Sequence, residues 1–186
     1  VAAAGNFAMN NDVNPFYPAS YPLDGIISVA ATDHKDQQAS FSHYGLTSVD
    51  IAAPGVSILS TTMGGGYGLN SGTSMAAPHV AGVMALMAGY NSQATVDQLK
   101  TAIMLGGDPL PNLTGTSVTG ARLNAAQSLS LLGAGSGGPS GSAILTAYYN
   151  FQDNYGTLPS GATASNAITE NQKQRAREIL ELYSQH

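Results

Sequence analysis

A chain of 186 residues, 43% of them apolar, is long enough for one folded domain with an appendage and can bury a core. Only 9% of the residues are charged, and the net charge of −5 comes without any run of Lys or Arg, so the electrostatic footprint for nucleic acid or an anionic membrane surface is missing. Cysteine is absent, which excludes disulfides, thiolate metal sites and a Cys nucleophile, while 22 glycines and 9 prolines promise frequent turns.

In chain order, Ala2-Ala3-Ala4-Gly5 reads as a small-residue strand that ends on the amide Asn6. The opening has no basic region and no long apolar run, so it does not read as a signal peptide, and the chain is expected to be part of something longer. Residues 26–31, 49–53 and 56–61 are bounded by Gly, Pro and Asp and predict three further strands. Gly64-Gly65-Gly66 predicts a mobile hairpin or loop. From Ser74 the residues Met75, Ala76, Val80, Val83, Met84 and Met87 recur at helical spacing, with Pro78 in the first turn, and a buried helix is expected. Its apolar stretch, Met75 to Tyr90, is too short and too polar to cross a bilayer. Thr95 with Gln98 forms a capping box for a helix to about Leu105, and 123–132 predicts another. Strands alternating with helices indicate an α/β fold.

Residues 133–142, G-A-G-S-G-G-P-S-G-S, have the composition of a flexible linker and set the end of a first domain at residue 132. Every glutamate lies beyond it. The segment 143–186 is expected to begin a further module or extension, with a strand over 143–151 and an amphipathic helix opened by the Thr169/Gln172 capping box.

The chemistry concentrates in Asn70-Ser71-Gly72-Thr73-Ser74-Met75-Ala76-Ala77-Pro78-His79-Val80-Ala81-Gly82. Ser74 sits where a glycine-containing loop enters a helix, so its N–H and the positive end of the helix face any oxygen placed there. That makes it a candidate nucleophile with half an oxyanion hole. Asn6, at the end of a strand, offers an amide that can donate the second hydrogen bond to a developing oxyanion, provided the intervening chain folds back. The plain alternative for Ser74 is a helix cap, and for Asn6 a turn residue.

These blocks, with Y-P-A-S-Y-P, I-I-S-V-A-A-T-D, A-S-F-S-H-Y-G and V-D-I-A-A-P-G-V-S-I-L-S-T between them, resemble the subtilisin-like serine peptidases over residues 1 to about 130. The resemblance implies a partial subtilisin-like three-layer α/β fold with a mainly parallel sheet, lacking the amino-terminal half. It makes Ser74 the nucleophile, Asn6 the oxyanion donor, and Ala3 and Gly5 lining of the pocket for the side chain that precedes the scissile bond. Phe16 falls where that pocket closes and would shorten it. Polypeptide substrates, the amino-terminal half of the same domain and a propeptide are the implied partners, and export from the cell the implied location. No cofactor is required, but Asp50, with the carbonyls of Ala19 and Tyr21, matches a structural calcium or monovalent cation site.

The family's Asp lies in a D-[ST]-G block and its His in an H-G-T block, and neither sequence occurs here. Asp24 and the Asp33-His34 pair follow Asn6 in turn and strand-end contexts and do not replace them. His79, five residues after Ser74 on one helix, points about 140° away and is expected to be a structural, hydrogen-bonded core residue. The chain alone is therefore expected to be inactive, and a non-catalytic scaffold or binding module is the alternative function. Asn112-Leu113-Thr114 is a sequon that matters only in a glycosylating host.

Overall fold

The computed structural model describes residues 1–134, 154–157 and 163–165. Two compact units are present, Val1–Ser140 and Gly141–His186.

The first unit opens with β1 (Ala2–Ala3), followed by β2 (Ser28–Thr32) and β3 (Ile51–Pro54). An antiparallel hairpin of β4 (Ile58–Thr62) and β5 (Gly66–Asn70) leads into α1 (Thr73–Tyr90), then α2 (Val96–Leu105). The chain continues through β6 (Asp108–Pro109), a 3-10 turn at Pro111–Leu113, β7 (Ala121–Arg122) and α3 (Ala125–Ala134). The main sheet has the order β1-β2-β3-β7-β6, parallel except for the β6–β7 pair.

Every residue of β2 is buried, as the run Ser-Val-Ala-Ala-Thr requires of a parallel strand covered on both faces. Val29, Ala31, Ile51 and Ala53 face one side and pack with Ala76, Val80, Val83 and Met87 of α1 and with residues of α2 and α3. Ala30 and Ala52 face the other side, with Ala4, Val49 and Leu113. Helices thus cover one face, and the 3-10 turn and loops cover the other. Small alanines along both middle strands let α1 approach the sheet closely.

Three expectations need correction. The strands over 26–31 and 49–53 begin two residues later, because Ile26 and Val49 belong to the turns that enter them. The connections β1–β2 and β2–β3 contain no helix, so strand and helix do not alternate along this stretch. Helix α1 is buried only along Thr73, Ala76, Val80, Val83 and Met87, while Leu86 and Tyr90 on its other side are exposed. Its residues are apolar all round, but a single sheet covers a single stripe.

In the second unit β8 (Asn154–Thr157) pairs antiparallel with β9 (Thr163–Ser165). The strand expected over 143–151 and the helix after Thr169 lie outside the described residues, as does most of the 133–142 linker.

Candidate active site

Asn6 follows β1, and Ser74 is the second residue of α1. The sheet and the packing of α1 on it bring them together across 68 positions of sequence. Gly72, just before the helix, donates its N–H to the Gly55 carbonyl at 2.8 Å, which ties the entry of α1 to the end of β3. Gly55 has to be glycine at this crossing, since a β-carbon there would lie 2.6 Å from Ala31 Cβ and 2.8 Å from the Gly72 carbonyl oxygen.

Thr73 is the junction. It is fully buried, and both its N–H and its Oγ1 donate to Asn6 Oδ1 at 2.9 Å, while its Oγ1 accepts the Gly5 N–H at 3.1 Å. With Oδ1 accepting two bonds, the amide of Asn6 is fixed with Nδ2 turned to the other side. Nδ2 has no acceptor among the described residues. The N–H of Ser74, an unpaired donor of the first helical turn, has none either, and Ser74 is exposed. A β-carbon placed on Gly72 would sit 3.4 Å from Asn6 Nδ2 and 3.7 Å from Ser74 N, so both donors border one hollow that Gly72 leaves open. Two vacant N–H donors beside an exposed hydroxyl, at the positive end of an 18-residue helix, form an arrangement that can receive an oxyanion. Ser74 does not cap α1; Gly72 holds that position.

The remaining expected residues divide into two places. Ala3 is half-buried and paired with Val29, and Gly5 is buried beside Thr73. Phe16 is half-buried and meets the ring of His43 edge-on, with centroids 5.1 Å apart. Asp50, Ala19 and Tyr21 lie apart from these, in a cleft with Asp24, Ile26 and Lys100. Asp50 Oδ2 accepts the Ser28 N–H at 2.7 Å, and its Oδ1 lies 3.5 Å from Lys100 Nζ, which donates to the Ile26 carbonyl at 2.6 Å. The Lys100 ammonium thus lies between Asp50 and the Ile26 carbonyl, which is not one of the two carbonyls, Ala19 and Tyr21, expected with Asp50 at a cation. Among the described residues no three His, Cys, Asp or Glu side chains gather at metal-binding distance.

His79 Nδ1 lies 2.8 Å from the Met75 carbonyl one turn back, and the residue is half-buried, so it is structural without belonging to the core. No imidazole is hydrogen-bonded to Ser74 among the described residues. Sequence reasoning missed Thr73, Asn11 and His43. Thr73 was legible as part of the serine block and His43 stands in the block A-S-F-S-H-Y-G, but neither its contacts nor Asn11 gave a local signal.

The subtilase family profile matches residues 1–135. The chain belongs to the subtilase family of serine peptidases. It is 46% identical to a thermophilic serine proteinase of Bacillus sp. strain AK1, over 67% of this chain and 29% of that protein. Thermitase of Thermoactinomyces vulgaris is 45% identical over 67% of this chain and 42% of that one. Among solved structures, the A-subunit of the AB5 toxin from E. coli superposes with a TM-score of 0.63 at 30% identity, covering 71% of this chain and 50% of the other. The chain thus spans less than half the length of these two curated relatives. No helix among the described residues is long and apolar enough to cross a membrane.

Proposed function

We propose that this chain carries the nucleophile and the oxyanion donors of a subtilisin-like serine endopeptidase and works as part of a longer protein. The observation that carries the reading is the pair of open donors, Asn6 Nδ2 and Ser74 N–H, bordering the hollow at Gly72 beside the exposed Ser74 hydroxyl. Ser74 Oγ attacks the scissile carbonyl carbon, and the carbonyl oxygen, now an oxyanion, accepts from both N–H groups. Collapse expels the amine and leaves an acyl-enzyme on Ser74, which water then hydrolyses. Ala3, Gly5 and Phe16 line the pocket for the side chain before the scissile bond.

The hydroxyl needs a base to take its proton, and the family's His and Asp blocks are not in these 186 residues. In this reading those groups come from the amino-terminal half of the domain, and the unpaired edge of β1 and the exposed Leu86 and Tyr90 of α1 support it. Alone, the chain hydrolyses peptides negligibly. Extended polypeptides are the substrates, and the family together with the cysteine-free, acidic composition supports an exported enzyme made with a propeptide. The cleft at Asp50 takes no part in the chemistry.

The test is covalent labelling of the intact protein with a fluorophosphonate. Wild type is labelled stoichiometrically and Ser74→Ala is not. A folded, full-length wild type that stays unlabelled would establish the non-catalytic scaffold instead.

A further inference from the structure

His43 lies in the loop between β2 and β3, yet it is 1% exposed, and the reaction above makes no use of it. Its ring lies directly over Gly5: a β-carbon there would fall 2.5 to 2.8 Å from three of the ring atoms. Phe16 meets the ring edge-on at an interplanar angle of 71°, and Phe7 lies against it with centroids 6.0 Å apart. Asn11 fixes the ring's orientation. Its Nδ2 donates to the Ala4 carbonyl at 2.9 Å, which leaves Oδ1 as the acceptor of His43 Nδ1–H at 2.7 Å. The ring is therefore held in one tautomer, with Nε2 buried and unpartnered among the described residues.

The segment bearing Phe16 is mounted on the loop that bears His43. Ala8 N–H donates to Phe41, Tyr44 N–H to Met9 and Asn11 N–H to Tyr44, all at 2.8 to 3.1 Å. The Asp12 carboxylate then accepts from the N–H groups of Leu46 and Ser48 and from the Thr47 and Ser48 hydroxyls. A β-carbon on Gly45 would crowd this clip, 2.4 Å from Ser48 Oγ and 2.7 Å from Asp12 Oδ1. These bonds hold residues 8–12 to the loop, and Phe16 itself donates its N–H to Ser20 Oγ at 3.0 Å, so its side chain is the part with most freedom left. The His43 ring stands against it.

We propose that His43 is a specificity-determining positioning residue: its ring is the back-stop that holds Phe16 forward and so sets the depth of the pocket for the side chain preceding the scissile bond, favouring small side chains there. The inference rests on the proposed function, in which Phe16 lines that pocket. A wedge and a simple core filler differ in consequence. Removing a filler lowers stability and slows all substrates alike, whereas removing a wedge lets Phe16 retract and changes the ranking of substrates.

The experiment uses the intact peptidase, with active sites counted by fluorophosphonate titration, and two peptide anilides that differ only in Ala or Phe before the cleaved bond. Wild type prefers Ala. His43→Ala raises the Phe-to-Ala ratio of kcat/KM by about tenfold or more, the scale that a few carbon atoms command in an apolar pocket. Phe16→Ala does the same. His43→Phe keeps a ring but loses the bond to Asn11, so it melts lower and retains the wild-type ratio. Should His43→Ala not fold, His43→Val gives a smaller shift in the same direction. An unchanged ratio in a folded His43→Ala or His43→Val, or a shift in His43→Phe as large as theirs, overturns the proposal. An unchanged ratio in labelled Phe16→Ala overturns it at its premise, and an unlabelled wild type overturns the proposed function and this inference together.

Discussion

Asn6 acts through one oxygen and one nitrogen, and Thr73 decides which is which. Because Thr73 claims Oδ1 with two hydrogen bonds, Nδ2 is already turned to the hollow, and the proposed reaction asks no rearrangement of it. The hollow itself depends on the missing side chain of Gly72. Gly72→Ala places a methyl 3.4 Å from Asn6 Nδ2, in the hollow that receives the oxyanion in the proposed reaction, and the expected result is a fall in kcat of the order of the 10²–10³-fold that subtilisin itself loses on removal of its side-chain donor. Stopped-flow acylation of the intact enzyme measures it, and an unaltered acylation rate contradicts the geometry.

Burial holds the His43 imidazole below its ordinary value near 6.5, against a weaker upward pull from the Ala4 carbonyl. The groups packed on the ring, Gly5, Phe7, Asn11 and Phe16, carry no charge. As pH falls through about 6.5 the unfolded chain takes up a proton that the folded ring refuses, so the contribution to stability is complete above that value and is lost below it, down to the lowered folded pKa. The melting temperature of wild type therefore falls more steeply than that of His43→Phe from about pH 7 to about pH 5. Parallel curves contradict this account. The block A-S-F-S-H-Y-G contains His43 but gave it no role, because its burial comes from a glycine 38 positions earlier and two phenylalanines, and nothing in their spacing shows that they meet. Ser74 and Asn6, by contrast, stand in blocks dense enough to be read directly.

Among the elements, α2 was the most legible. Thr95 Oγ1 accepts the Gln98 N–H at 3.2 Å, and Gln98 Oε1 accepts the Thr95 N–H at 2.9 Å, the reciprocal pair that the sequence spacing predicted. Thr95→Ala should cost about 1 kcal/mol, seen as a lower denaturant midpoint with an unchanged slope. Such a loss leaves the ratio of the two anilide substrates alone, which separates it from substitutions behind Phe16. Strand β5 was not legible, since Gly-Tyr-Gly-Leu-Asn has little strand propensity of its own. Its ladder with β4 supplies what the residues lack. The two-residue strands β6 and β7 are too short to show any period and exist only through the register of their neighbours.

At the scale of the whole first unit, the sheet's far side is secured by Arg122. Its guanidinium donates to Asp36 at 2.5 Å and to Asp108 at 2.8 Å, joining the turn after β2 to β6 and β7. Asn124 donates to the other Asp108 oxygen at 2.9 Å, and these bonds, with that of Asn124 the stronger, hold the Asp108 carboxyl below its ordinary value of 3.8. The stability this confers is present above the ordinary value and is lost as pH falls through the lowered one. The side chains are about a third exposed, so solvent screens the pair and its worth is about 1 kcal/mol or less. Arg122→Met should melt a few degrees lower near neutral pH, with the gap closing in acid once Asp108 is protonated. A gap that stays constant into acid would show that lost packing, not charge, accounts for it.

The Asn6–Thr73 bonds join residues 67 apart in sequence, and between them lie β2, β3 and the whole β4–β5 hairpin. Their closure carries the entropy of a long loop, so it follows the pairing of the parallel strands that shorten the search. While the polypeptide is still collapsing, Ser74 is an ordinary alcohol at the end of a nascent helix, and Asn6 is a loose amide far away. A copy that has not closed these bonds therefore lacks the oriented Nδ2 on which the proposed chemistry depends.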